Sequence, residues 1–275
     1  MKNTVFIITM LITGLTCSTN IPSNGIEKSV LNALEGEHRS EKNILRDQYR
    51  NPKDTLAFFG VSPDLTVVEI WPSSGWYAEI LAPLLRDNGT YYAAGFSTKA
   101  KRSPQWRKNK VKQLEEKFAK HPEVYDKVIV TGLSVPEDVV IAPKGSADTV
   151  LTFRNVHNWM KGKYAEGVFS AMYDALKPGG ILGVVEHRAK EGTSLATMIK
   201  SGYVTETEVI RLAKQAGFAL ESRSEINANL KDTKDHPKGV WTLPPSLRLK
   251  DQDREKYLAI GESDRMTLKF IKPKK

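Results

Sequence analysis

Two hydrophobic periods alternate along this chain. Short apolar runs of strand length occur at Thr66–Ile70, Asn88–Ala94, "KVIVTG" (127–132), Ala147–Phe153, Ile181–Glu186, Phe218–Glu225 and Asp264–Pro273. Between several of them, apolar residues recur every three or four positions, the helical period. Trp76–Leu85 puts Ile80, Leu81, Leu84 and Leu85 on one side. Pro104–Lys120 is charged and amphipathic. Lys163–Leu176 is stopped by "KPGG", and Thr205–Ala216 ends at Gly217. Strands separated by helices predict a parallel sheet covered on both faces. The last two strands lack a clear helix between them. They predict an antiparallel hairpin around a long insertion, with Asp264–Pro273 at the sheet edge.

Upstream, Ser23–Arg50 is polar and helix-forming, one or two helices lying against the domain and stopped by Pro52. The expected organisation is an export signal over 1–20, a helical extension over 21–54 and a doubly wound α/β domain over 55–275. A polar insertion occupies 226–263. The export reading rests on Lys2 followed by apolar Val5–Leu15, a run too short for a stable membrane span. "GLTC" is an imperfect match to a lipoprotein processing site, which would make Cys17 a lipid anchor. A buried N-terminal helix is the alternative. Export implies a periplasmic, outer-surface or secreted protein.

Composition narrows the chemistry. The 275 residues carry 41 Lys and Arg against 32 Asp and Glu, a formal charge of +9. This favours anionic partners without specifying nucleic acid, because the basic residues are scattered and interleaved with acidic ones. The expected partner is a small molecule, with no nucleic acid, and the expected assembly is a monomer or weak homodimer. Cys17 is the single cysteine. That excludes an intrachain disulfide and a multi-cysteine zinc site. No HExxH-type signature is present, and no metal is expected.

Candidate chemistry gathers where strands end, since open α/β sheets bind ligands beyond their carboxyl ends. The first strand runs through Glu69 into "WPSSGW", Trp71–Trp76. Gly75 suits a tight turn or a close ligand approach, and Ser73 and Ser74 suit helix capping or a bound group. A structural strand-to-helix turn explains the same residues. The fourth strand ends in "FRNVHNW" and the fifth in "VVEHRA". They bring Arg154, Asn155, His157, Glu186, His187 and Arg188 to one crevice if strands one, four and five are neighbours. His157 is a candidate base, or a packing group bonded to Glu186. Arg154 suits a bidentate carboxylate contact. Trp71, Trp76 and Trp159 suit either a flat ligand or the core.

The set "VVEIWPSSGWYAEILAP", "ADTVLTFRNVHNW", "LKPGGILGVVEHRA", "VTETEVIRLAKQAGF" and "SDRMTLKFIKP" resembles the class I S-adenosylmethionine-dependent methyltransferases. Within them it is most similar to a bacterial group of exported, predicted methyltransferases. The resemblance spans Thr55–Pro273. It implies a mostly parallel, seven-stranded Rossmann-like sheet with an antiparallel seventh strand and S-adenosylmethionine as cofactor. It implies Glu69 and Trp71–Gly75 on the methionine part of the cofactor. The expected function is S-adenosylmethionine-dependent methyl transfer to an unidentified small-molecule acceptor, with Glu69, Trp71, Ser73, Gly75 and Trp76 on the cofactor and Arg154, His157, Glu186 and His187 shaping or deprotonating the acceptor side. The chain departs from that pattern in two places. Trp71 and Ser73 stand where the turn carries glycine. "YYAAGFS" offers Tyr92, Ala94 and Gly95 where the second strand supplies the carboxylate for the ribose. A non-catalytic exported ligand-binding or interaction protein on the same scaffold is the alternative.

Overall fold

The computed structural model describes residues 23–101 and 103–274. The expected export signal and Cys17 lie outside the described residues. Among these, no helix is long and apolar enough to cross a membrane.

Seven strands form one sheet in the order β3-β2-β1-β4-β5-β7-β6. They are β1 (Thr66–Ile70), β2 (Thr90–Phe96), β3 (Ile129–Leu133), β4 (Ala147–Phe153), β5 (Leu176–His187), β6 (Ala219–Ser224) and β7 (Arg265–Ile271). Pairing is parallel from β3 across to β5 and antiparallel on both sides of β7. This is the doubly wound, seven-stranded Rossmann-like fold of class I methyltransferases. Strand β7 is inserted between β5 and β6, so the expected edge position belongs to β6 instead. Its burial explains the change: Met266, Leu268 and Phe270 are fully buried.

The extension folds as α1 (Ser23–Leu34), α2 (Glu41–Ile44), α3 (Asp47–Arg50) and α4 (Pro52–Phe58). Helices α5 (Ala78–Leu85), α6 (Gln105–Lys120) and α7 (Pro122–Tyr125) follow, then α8 (Val156–Lys161) and α9 (Ala165–Ala175). The last are α10 (Leu195–Ser201), α11 (Glu206–Gln215) and α12 (Arg254–Ile260). Alternating strand residues feed opposite layers, as the pleat requires. Val68, Val150 and Val184 pack with Phe169 and Met172 of α9 and Leu212 of α11. Val67, Leu151 and Val185 pack with Leu56 of α4 and Ile80 and Leu81 of α5.

Strand β5 begins well before the expected Ile181, running through "KPGG" beside β7. Gly179 N–H donates to Lys272 O at 2.7 Å, and Lys272 N–H donates to Gly180 O at 2.9 Å. Pairing with β7 satisfies backbone groups that a turn would have left to water.

Candidate functional site

The turn after β1 keeps the backbone path of a glycine loop with other residues in it. Trp71, Ser73 and Gly75 have φ of 48°, 56° and 75°. For an L-residue this conformation costs roughly 1–2 kcal/mol. Helix α5 begins only at Ala78, and neither Ser73 nor Ser74 caps it. Gly75 faces α6 rather than the cavity: an added Cβ would lie 3.0 Å from Leu114 Cδ1. Asn155 latches the turn to β4, its Nδ2 donating to Ile70 O at 2.9 Å.

A cavity of about 580 Å³ opens over the ends of β1, β4 and β5. It is lined by Glu69, Trp71, Ser73, Trp76, Arg154, His157 and His187 among the expected residues. Glu186 lies directly behind His157. Trp159 is fully buried in the core, edge-on to Trp71 and Phe169. Arg188 points elsewhere, to Asp264, Glu225 and Glu206 at 2.9, 2.7 and 3.3 Å. Strand alternation separates it from its neighbour His187.

Sequence reasoning missed much of the wall. Arg50 of α3 and Arg265 of β7 both line the cavity. Arg265 opens β7 ahead of the buried Met266, but Lys269 in the same strand left its charge without a distinct signal. Arg50 had none, because it sits among the charges of a polar helix. Trp241, Pro244 and Pro245 come from the insertion; "GVWTLPP" is an apolar island in a polar segment.

The cavity is electropositive on one side. Glu262, itself buried, takes Arg46 Nε at 2.6 Å, Arg50 Nε at 3.4 Å and Arg265 Nη2. One carboxylate therefore faces three guanidiniums. Arg50 Nη1 and Arg265 Nε are buried and lack a hydrogen-bond partner. Arg154, held at φ 63°, has no hydrogen-bond or ion-pair partner for its side chain among the described residues. Burial, then Arg265, lowers its pKa to about 10.

The other side holds two imidazoles with centroids 5.3 Å apart. Glu186 Oε1 accepts the backbone N–H of His187 at 2.7 Å and lies 3.0 Å from His157 Nδ1. Its Oε2 accepts the backbone N–H of His157 at 3.3 Å. This carboxylate is met only by donors, so the His157 proton belongs on Nδ1 and the lone pair on Nε2. His187 Nδ1 is 2.5 Å from Ser263 Oγ. Burial first, then His157, Arg265, Arg154 and Arg50, pushes the His187 pKa well below its ordinary value, leaving it neutral. His157, Glu186 and His187 bring possible ligand atoms within 4.8 Å of one another. The engaged oxygens of Glu186 and the adjacent guanidiniums oppose a cation there.

Glu69 lies beneath the turn, accepting from Tyr91 O–H at 2.5 Å. Burial raises its pKa from 4.5 to about 7, against the Tyr91 hydrogen bond and Lys117, which lower it. Such a group favours the folded state only while protonated, because the unfolded chain ionises first. Stability is therefore expected to decline between about pH 4.5 and 7 by about 3 kcal/mol, then level. Urea melts across that window should show the decline in the parent and not in Glu69→Gln.

The space between the turn and the ends of β2 and β3 is narrow. The Trp71 indole fills that space. Its Nε1 donates to Leu133 O at 3.3 Å, and its ring lies 4.5 Å from Phe96. Arg107 closes over both rings at 5.2 and 5.1 Å. The gap left is about 20 Å³, room for about one water. Strand β2 itself ends without a carboxylate, but Asp138 reaches its end from beyond β3, accepting from Ser97 Oγ at 2.7 Å.

No protein-family profile and no curated protein matches this chain. Solved structures do. A SAM-dependent methyltransferase from Aquifex aeolicus is similar at 15% identity and TM-score 0.54, covering 82% of this chain and 92% of that one. A geranyl diphosphate C-methyltransferase from Streptomyces coelicolor A3(2) is similar at 13% identity and TM-score 0.52, covering 87% of each. The [4+2]-cyclase SpnF is similar at 13% identity and TM-score 0.53, covering 91% and 93%. Chains described by different chemistries share this architecture, so a fold is what the likeness establishes. This chain has a class I methyltransferase-like fold.

Proposed function

We propose that this protein binds a small oxyanion, a carboxylate or phosphate compound, in the crevice over β1, β4 and β5. One observation carries the reading: Arg154 borders the cavity without a protein partner, beside Arg50 and Arg265, whose donors are also incompletely paired. The Arg50 and Arg265 N–H groups are buried without acceptors, which is costly, and the half-buried Arg154 beside them offers a fork that suits a bidentate oxyanion. The remaining wall, Trp76, Tyr77, Phe153 and Trp241, encloses an apolar body. Taken with the export reading, the ligand is a compound met outside the cytoplasm, away from where S-adenosylmethionine is made.

S-adenosylmethionine-dependent methyl transfer to a small acceptor is the second reading. The fold and the position of Glu69 at the end of β1 favour it, and it requires Trp71 to leave the space it fills. Calorimetry separates the two. The oxyanion reading expects saturable binding of pyruvate or phosphate that weakens with salt and falls at least about tenfold in Arg154→Met, roughly 1.4 kcal/mol. It expects no saturable binding of S-adenosylmethionine or S-adenosylhomocysteine. Binding of either, weakened by Glu69→Gln, with none of the anions, would reverse the conclusion.

A further inference from the structure

We propose that His157 and His187 act as a base and an electrophile on the bound oxyanion, so that the crevice catalyses proton removal and return at carbon beside a carbonyl. The inference rests on the oxyanion reading and adds a reaction to it.

The geometry supplies what enolisation needs. His157 Nδ1 is held by Glu186 at 3.0 Å, which leaves Nε2 as the acceptor on a residue lining the cavity. Glu186 is fully buried and tied to two backbone N–H groups, so it fixes the ring without competing for ligand. It is a positioning residue. His187 shares the cavity wall, its ring 5.3 Å from that of His157 and its Nδ1 beside Ser263. Burial, and after it the charges around the ring, keep it neutral, the state in which an imidazole polarises a carbonyl without giving up its proton. Arg154, Arg50 and Arg265 line the same cavity, where they oppose the charge that develops on an enolate.

The step balances without a further reactant. The lone pair on His157 Nε2 takes a proton as the C–H bond breaks. The C–H electron pair moves into the adjacent carbonyl, forming an enolate that faces His187 and the guanidiniums. Return of a proton from His157 to carbon restores the ketone and the neutral imidazole. In deuterated water the returned proton is replaced by deuterium. The substrate class is therefore a small 2-oxo acid, whose carboxylate meets arginine and whose ketone activates the neighbouring C–H.

The test is deuterium exchange at the methyl carbon of pyruvate, followed by proton NMR beside calorimetry on the same samples. The expected result is exchange at least about 100-fold faster than buffer. His157→Gln should lose that acceleration while still binding pyruvate saturably, which also shows that the variant is folded. Glu186→Gln should lower the maximal exchange rate with little change in half-saturation, a split that a loss of folded protein does not produce for the active fraction when normalised to binding sites. Pyruvate that binds but exchanges no faster than in buffer would overturn this inference and leave the oxyanion reading standing. So would exchange by His157→Gln at the parent rate. Failure of pyruvate and phosphate to bind at all would overturn both.

Discussion

Replacing Glu262 by alanine is expected to cost about 3–5 kcal/mol, a large part of a typical domain's stability. Glu262 is almost wholly buried and ties α3 and its flanking residue Arg46 to the first residue of β7. Without it, Arg50 and Arg265 remain buried as like charges, and Arg46 loses its acceptor. Urea midpoints of Glu262→Ala and Glu262→Gln measure the loss. The glutamine variant keeps the shape and loses the charge, so a near-parent midpoint would show that packing, not charge, joins the extension to the sheet. Acid should reveal the same group. Burial pushes its pKa up, but Arg265, Arg50, Arg154 and Arg46 together hold it well below the usual carboxylate range. A depressed folded pKa adds stability that is present above the ordinary value of 4.5 and lost as pH falls through the folded value. The sign is opposite to that of Glu69, so single variants at the two positions separate their contributions in one pH series.

Trp71→Ala is expected to cost about 3–5 kcal/mol, the range for emptying a large aromatic site in a close-packed core. The ring is 6% exposed and packs on Phe96, Trp159 and Tyr164. Trp71→Gly removes one more carbon, yet should be about 1 kcal/mol more stable than Trp71→Ala. At φ 48° the backbone is in the left-handed region, where glycine escapes a penalty of roughly 1–2 kcal/mol that alanine still carries. Thermal or urea unfolding of the pair decides it. The usual order, alanine above glycine, would mean that the turn relaxes once the indole is gone. Both variants open the space beside β2 and β3. Calorimetry with S-adenosylhomocysteine on Trp71→Gly then asks whether the indole alone excludes a nucleoside. Binding by the variant and not by the parent would identify Trp71 as the obstruction.

These two residues mark where sequence reasoning reached and where it stopped. Hydrophobic periodicity determined the seven strands and the principal helices, because strand pleat and helical turn are local geometries written directly in apolar spacing. It also determined that Glu69, Arg154, His157, Glu186 and His187 stand at strand ends. Side-chain direction at those ends was not local. His187 and Arg188 are adjacent in sequence, yet alternation and the acidic cluster around Asp264 send them to different places. Non-glycine residues in the turn were visible as a departure, but only packing against Phe96, Leu133 and Arg107 decided that the Trp71 ring lies beside the ends of β2 and β3 as well as on the cavity wall. Strand β7 reads as a terminal strand until pairing places it between β5 and β6, because strand order is set by non-local hydrogen bonds and burial on both faces. The arginine cluster was the least legible feature. Arg46 and Arg50 meet Arg265 across more than 200 positions of chain, through the single carboxylate of Glu262. Coulomb interactions depend on distance in space, and only the folded chain brings those charges within reach.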